Sequence, residues 1–146
     1  MQLLDFNAGI DFGAKGNLKE FSPAGFSSYP DQLSTWSEKP FVELSFRVSL
    51  LQRNLRLTIQ VFPYLPEGSW VTRQDCWVHL NGLLVHFCSV TAPSDIELTI
   101  PREIINPRAN RLSFVLPNAV SPSELRLGDD LRQLGLAFVK LSAAAA

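Results

Sequence analysis

Two groups of side chains in this 146-residue chain have the types and spacing that suit molecular recognition. One is Asp75, Trp77, His79 and His86, with Trp70 and Arg73 just upstream. The other is Phe26, Tyr29 and Trp36, with Asp31 and Glu38 nearby. An aromatic ring offers a flat apolar face, and Arg, Asp or His beside it can exchange hydrogen bonds with hydroxyls. Binding pockets combine such apolar walls with a few placed polar groups. Sugars, which have an apolar ring face and many hydroxyls, fit both groups, so Trp77, His79, His86, Trp70, Arg73, Asp75, Trp36, Tyr29 and Phe26 are candidate carbohydrate-binding residues. The same rings also suit burial, either against the core or against another protein.

Catalysis is served less well. A serine or cysteine nucleophile needs an adjacent base, and no Gly-x-Ser-x-Gly elbow is present. Glycoside hydrolysis needs two carboxyl groups across a cleft. Asp31, Glu38, Glu67, Asp75, Asp129 and Asp130 are available, but their spacing singles out no pair. Asp129, Asp130 and Arg132 suit a local ion pair instead. Structural zinc wants four converging ligands. His79, His86, Asp75 and Cys88 share one hairpin, yet packing of Trp77 on His86 accounts for them without a metal. Asp5, Asn7 and Asp11 offer oxygens to calcium but spell no EF-hand loop. The expectation is a non-catalytic chain with no cofactor or metal.

The elements that position these residues are strands. Val42, Leu44, Phe46 and Val48 alternate with polar residues, as do Leu55, Leu57, Ile59 and Val61. Ile96, Leu98 and Ile100 follow the same rule, and so do Leu112, Phe114 and Leu116. A period of two predicts strands with one buried and one wet face. Leu3, Leu4 and Phe6 suit an opening strand, and Leu136 to Leu141 a closing one.

Asn81-Gly82 suits a type I′ turn, in which both residues take positive φ. A regular two-residue hairpin around it pairs Leu80 with Leu83, His79 with Leu84, Val78 with Val85, Trp77 with His86 and Cys76 with Phe87. Cys76, Val78, Leu80, Leu83, Val85 and Phe87 then form a core face. Asp75, Trp77, His79, Leu84, His86 and Cys88 form the other face. The two cysteines point to opposite sides and are not expected to bond. Helix is scarce: Pro101–Ile104 suits one short turn, and Ser121-Pro122-Ser123-Glu124 starts a capped one.

About eight strands with turns at short spacing predict an all-β, antiparallel β-sandwich of jelly-roll type over residues 1–142. Ala143–Ala146 are set apart as a tail. Hydrophobic residues make up 46% and charged residues 18% of the chain, which can fill one core. A net charge of −1 argues against nucleic acid, which favours a basic surface. No apolar run reaches the ~20 residues of a membrane-spanning helix, so membrane insertion is not expected. With no leader pattern at Met1–Gly9, the expected location is cytoplasmic.

Gly25-Phe26-Ser27-Ser28 and Thr35-Trp36-Ser37-Glu38 resemble a Gly-aromatic-Ser…Trp-Ser pattern. That pattern belongs to a β-sandwich accessory domain found beside bacterial glycosyltransferases that build surface polysaccharides. Val78-His79-Leu80-Asn81-Gly82, Ile100-Pro101-Arg102, Asn110–Phe114, Ser121–Leu125 and Asp130–Ala137 extend the likeness over most of residues 21–141. The order of these segments is also similar to galactose-binding-like jelly rolls attached to glycosidases. The resemblance implies a non-catalytic, carbohydrate-associated module. Its implied partners are an oligosaccharide or polysaccharide and a glycosyltransferase domain, in the same chain or another. The competing expectation is a protein-interaction or homo-oligomerisation module that buries the same aromatic residues.

Overall fold

Where apolar residues recur at every second position, the chain forms strands with those residues turned inward. The computed structural model describes residues 1–49 and 52–146. Its strands are β1 (Ile10–Asp11), β2 (Thr35–Trp36), β3 (Phe41–Phe46), β4 (Leu55–Pro63), β5 (Gln74–Leu80), β6 (Leu83–Val90), β7 (Ser94–Ile100), β8 (Asn110–Val115) and β9 (Leu136–Ala145). They pair antiparallel in two sheets. One runs β1-β9-β4-β7 with β2 also on β9, and the other runs β3-β8-β5-β6. The sheets stack as a jelly-roll sandwich.

The core between them is the inward set: Val42, Leu44 and Phe46; Leu55, Leu57, Ile59 and Val61; Ile96, Leu98 and Ile100; Leu112 and Phe114. All were expected to point inward from the alternation alone. Among the described residues, the remaining helical structure is two short 3-10 turns, Leu18–Phe21 and Arg102–Ile104. Ser121 caps its turn as expected, its Oγ accepting the Glu124 amide at 3.0 Å, but the turn does not grow into a helix. Arg132 pairs with Asp130 at 2.7 Å, fixing the loop before β9. Among the described residues, no helix is long and apolar enough to cross a membrane.

Three features depart from the sequence reading. Leu3 contributes only an isolated bridge to Arg47, and the first strand is Ile10–Asp11. Ala143, Ala144 and Ala145 continue β9 and pair with Leu57, Arg56 and Leu55. Ala143 is buried there, so three of the four alanines that were set apart complete a sheet.

The third departure matters most for function. Asn81 and Gly82 both have positive φ, 52° and 84°, as a type I′ turn requires. Leu80 pairs with Leu83 and His79 with Leu84, as expected. Beyond that point the register shifts by one: Val78 pairs with His86, Trp77 with Phe87 and Cys76 with Cys88. Val85 is the extra residue of a β-bulge, and a one-residue slip turns every later side chain to the other face. The expected core position of Phe87 is therefore corrected to the outer face, and the expected outer positions of His86 and Cys88 to the inner face. Cys76 and Cys88 face each other across the hairpin rather than pointing apart. Leu83, although it pairs with buried Leu80, is exposed at the turn.

Candidate functional site

The two sheets differ on their outer faces. The five-stranded sheet presents polar rows, Lys140, Gln60 and Asp95 in one and Ser142, Thr58 and Glu97 in the next, with a row of half-buried Trp36, buried Ala137 and half-buried Phe62 at its β2 end. The four-stranded sheet presents an apolar one. Phe41 pairs with Val115, Val115 with Trp77, and Trp77 with Phe87. Because these residues lie level across all four strands, their side chains form one continuous row. Neighbouring strands are about 4.8 Å apart, so the row spans roughly 14 Å. Phe41 is 48% exposed, Trp77 47% and Phe87 70%. Scattered exposed apolar residues are ordinary; a contiguous row makes this face a candidate binding surface.

The next row toward the β5–β6 turn is mostly polar: Glu43, Ser113, His79 and Leu84. Ser113 Oγ donates to Glu43 Oε2 at 3.1 Å. Arg111 follows beside Ser45. Phe41, Glu43, His79, Arg111, Ser113 and Val115 line a groove of about 270 Å³. On the other side of the row, Asp75 accepts from Ser89 Oγ and forms an ion pair with Arg73 at 3.2 Å. The aromatic row is thus flanked by hydrogen-bonding groups on both sides.

The structure brings together Trp77, His79, Asp75 and Arg73 from the first candidate group. His86 faces inward behind them, opposite Val78. Trp70 is 69% exposed in the loop between β4 and β5 and lies outside this row. Phe41, Phe87, Glu43, Ser113 and Arg111 were not anticipated as site residues. Phe41 stands at the head of an alternating run, and only the pairing order β3-β8-β5-β6 reveals that it is level with Trp77.

The second candidate group is divided. Phe26 packs on Phe12 and Phe138, with ring centroids 5.9 and 5.3 Å away. Trp36 sits edge-on to Phe62 and Tyr64 at 5.4 and 6.0 Å. Phe26 packs against the core, whereas Trp36 is level with Ala137 and Phe62 on the outer face of the five-stranded sheet. Their neighbours explain the local sequence. Ser37 Oγ accepts the amides of Gly135 and Leu136, and the Gly25–Ser27 segment bonds to Trp36 and Glu38 through the backbone. Gly25 has φ 83°, and a Cβ there would collide with the Phe41 carbonyl oxygen. Tyr29 alone is free, 87% exposed. A loop-side hollow of about 360 Å³, lined by Phe12, Lys19, Phe26, Ser27 and Thr35, lies nearby.

Among the described residues, no three His, Cys, Asp or Glu side chains converge as metal ligands. Asp5 and Asp11, considered for calcium, accept backbone amides from Asn7 and Gly13.

No family model matches this chain, and no curated protein matches it in sequence. Solved structures do. One is the CBM36-1 domain of a multidomain xylanase from the hindgut metagenome of Trinervitermes trinervoides. It has 10% identity and a TM-score of 0.52, covering 88% of this chain and 94% of that one. A second is a family 6 carbohydrate-binding module from Clostridium cellulolyticum, solved with xylose, at 9% identity and TM-score 0.51 over 98% and 99% of the two chains. A third is a family GH115 4-O-methyl-α-glucuronidase with specificity for decorated arabinogalactans. There the identity is 11% and the TM-score 0.52, over 89% of this chain but 17% of the enzyme. The likeness is one of fold alone. The jelly-roll sandwich expected from the strand pattern is thereby matched by independent structures.

Proposed function

We propose that this chain is a non-catalytic carbohydrate-binding module whose site is the outer face of the β3-β8-β5-β6 sheet. The observation that carries this reading is the row Phe41–Val115–Trp77–Phe87. Its rings would stack on the apolar faces of successive pyranose units. His79, Glu43, Ser113 and Arg111 on one side, and Asp75 and Arg73 on the other, would bond to hydroxyls. The two carboxylates on this face already accept hydrogen bonds from serines, which suits fixed acceptors better than a proton-transfer pair. Two of the similar folds are carbohydrate-binding modules, and one was solved with xylose. Affinity is expected on the order of micromolar to millimolar, because binding must offset the cost of ordering both partners.

The resemblance to domains beside bacterial glycosyltransferases suggests a finer setting: an accessory to surface-polysaccharide synthesis, acting in the cytoplasm with a glycosyltransferase partner. A second reading, a protein-interaction or oligomerisation module, draws on one observation. Among the described residues β6 is an edge strand of its sheet, so the exposed Phe87 lies beside an unpaired edge.

The test is a glycan-array screen of the purified domain, repeated with Trp77→Ala. Specific binding that the folded variant loses supports the sugar site. Absence of binding to every glycan, with a mass above monomer in solution, would favour the docking reading instead.

A further inference from the structure

The β5–β6 register brings together the two cysteines, which the proposed sugar site does not use. Cys76 is fully buried on the inner face. Cys88, its direct partner on the edge strand, is half-buried and packs against the same core. Both are free thiols. Residues directly opposite in an antiparallel pair have Cα atoms about 4.5 or about 5.5 Å apart, depending on the pair's hydrogen bonding. A disulfide accepts Cα separations of roughly 4.4 to 6.8 Å. Either kind of pair falls inside that window; cross-strand Cβ atoms about 4.5–5.5 Å apart must still draw in to roughly 3.8 Å, so closure needs side-chain rotation and a small backbone adjustment.

We propose that Cys76 and Cys88 form a reversible dithiol–disulfide site, oxidised by exchange with a low-molecular-weight disulfide such as oxidised glutathione. Cys88 reacts first, because Cys76 is sealed in the core. The Cys76 thiol also donates a hydrogen bond to Cys88, lowering its pKa, although burial and Asp75 oppose this. The same hydrogen bond, and then burial, raise the pKa of Cys76. The Cys88 thiolate attacks one sulfur of the small disulfide. That S–S bond breaks, and one thiolate leaves and takes up a proton. Cys76 then attacks the Cys88 sulfur of the mixed disulfide, and its proton goes to the second departing thiol. The protein dithiol is oxidised by two electrons while one small disulfide is reduced to two thiols.

The pair lies one residue along both strands from Trp77 and Phe87. Its closure would pin the register beyond the bulge, whatever ligand the outer face takes.

Incubating the reduced protein with excess oxidised glutathione and reading intact mass and free thiols tests this. The expected product is a monomer lighter by two hydrogens, with no titratable thiol and full reversal by dithiothreitol. Cys76→Ala should stop at one glutathione adduct, on Cys88. Cys88→Ser should react more slowly by on the order of tenfold or more, since only the buried thiol remains. Wild-type protein that stops at a glutathione adduct, forms a disulfide-linked dimer or keeps both thiols would overturn the proposal. The wild-type spectrum decides closure even if a variant misfolds.

Discussion

Trp77 lies directly opposite Phe87 on the outer face of the four-stranded sheet, and one unpaired residue between Leu84 and His86 makes them level. If Val85 is only a spacer, deleting it should leave a regular hairpin with the same pairs: Val78 with His86, Trp77 with Phe87 and Cys76 with Cys88. The deletion removes a partly buried side chain that packs on the core, so stability should fall by about 1–2 kcal/mol. The folded variant should still close the Cys76–Cys88 disulfide. Failure to close it would show that the bulge itself is needed to align the strands.

A buried amide network holds the turn of this hairpin. Asn110 is fully buried, and its Nδ2 donates to Asn106 O at 2.6 Å. Its Oδ1 accepts from Asn81 Nδ2 at 3.0 Å and from the Asn106 amide at 2.8 Å. Asn81 Oδ1 in turn accepts the Arg111 amide at 2.9 Å. Asn110→Ala removes these bonds from a buried amide whose partners are half-buried Asn81 and exposed Asn106, and should cost roughly 1–3 kcal/mol. Urea unfolding measures this, and a loss under about 1 kcal/mol would mean that the network is not cooperative.

The thiol pair predicts a pH dependence. The Cys76 hydrogen bond favours the Cys88 thiolate, so alkylation of Cys88 should reach half its maximal rate at a lower pH than for an unperturbed cysteine. In Cys76→Ala that donor is gone while Asp75 still opposes the negative charge, so the midpoint should rise. Alkylation rates from pH 6 to 10 give both values. A midpoint that stays or falls in the variant would contradict the assigned donor.

How much of this was legible follows from how each element is encoded. The inward faces of β3, β4, β7 and β8 were readable because period-two alternation reports burial directly. The bulge was not, because Val85, His86, Phe87 and Cys88 include apolar residues on either register. β1 and β2 are two residues long, too short for any period, and sit among glycines and serines. The alanines joined β9 because Leu55–Leu57 needed a partner, a tertiary reason with no local signal. Trp77, His79, Asp75 and Arg73 were found as a group since hairpin geometry is local. Phe41, Val115 and Glu43 were missed because they join the row only through the β3-β8-β5 pairing.

The central claim, that the outer aromatic row binds glycan, is tested most directly by titrating the best array glycan into wild-type protein, Trp77→Ala, Phe87→Ala and Tyr29→Ala. The account predicts at least about tenfold weaker binding for the first two variants, equivalent to about 1.4 kcal/mol, and no change for Tyr29→Ala. Unchanged binding in folded Trp77→Ala and Phe87→Ala, with loss in Tyr29→Ala, would contradict it and move the site to the loop-side hollow.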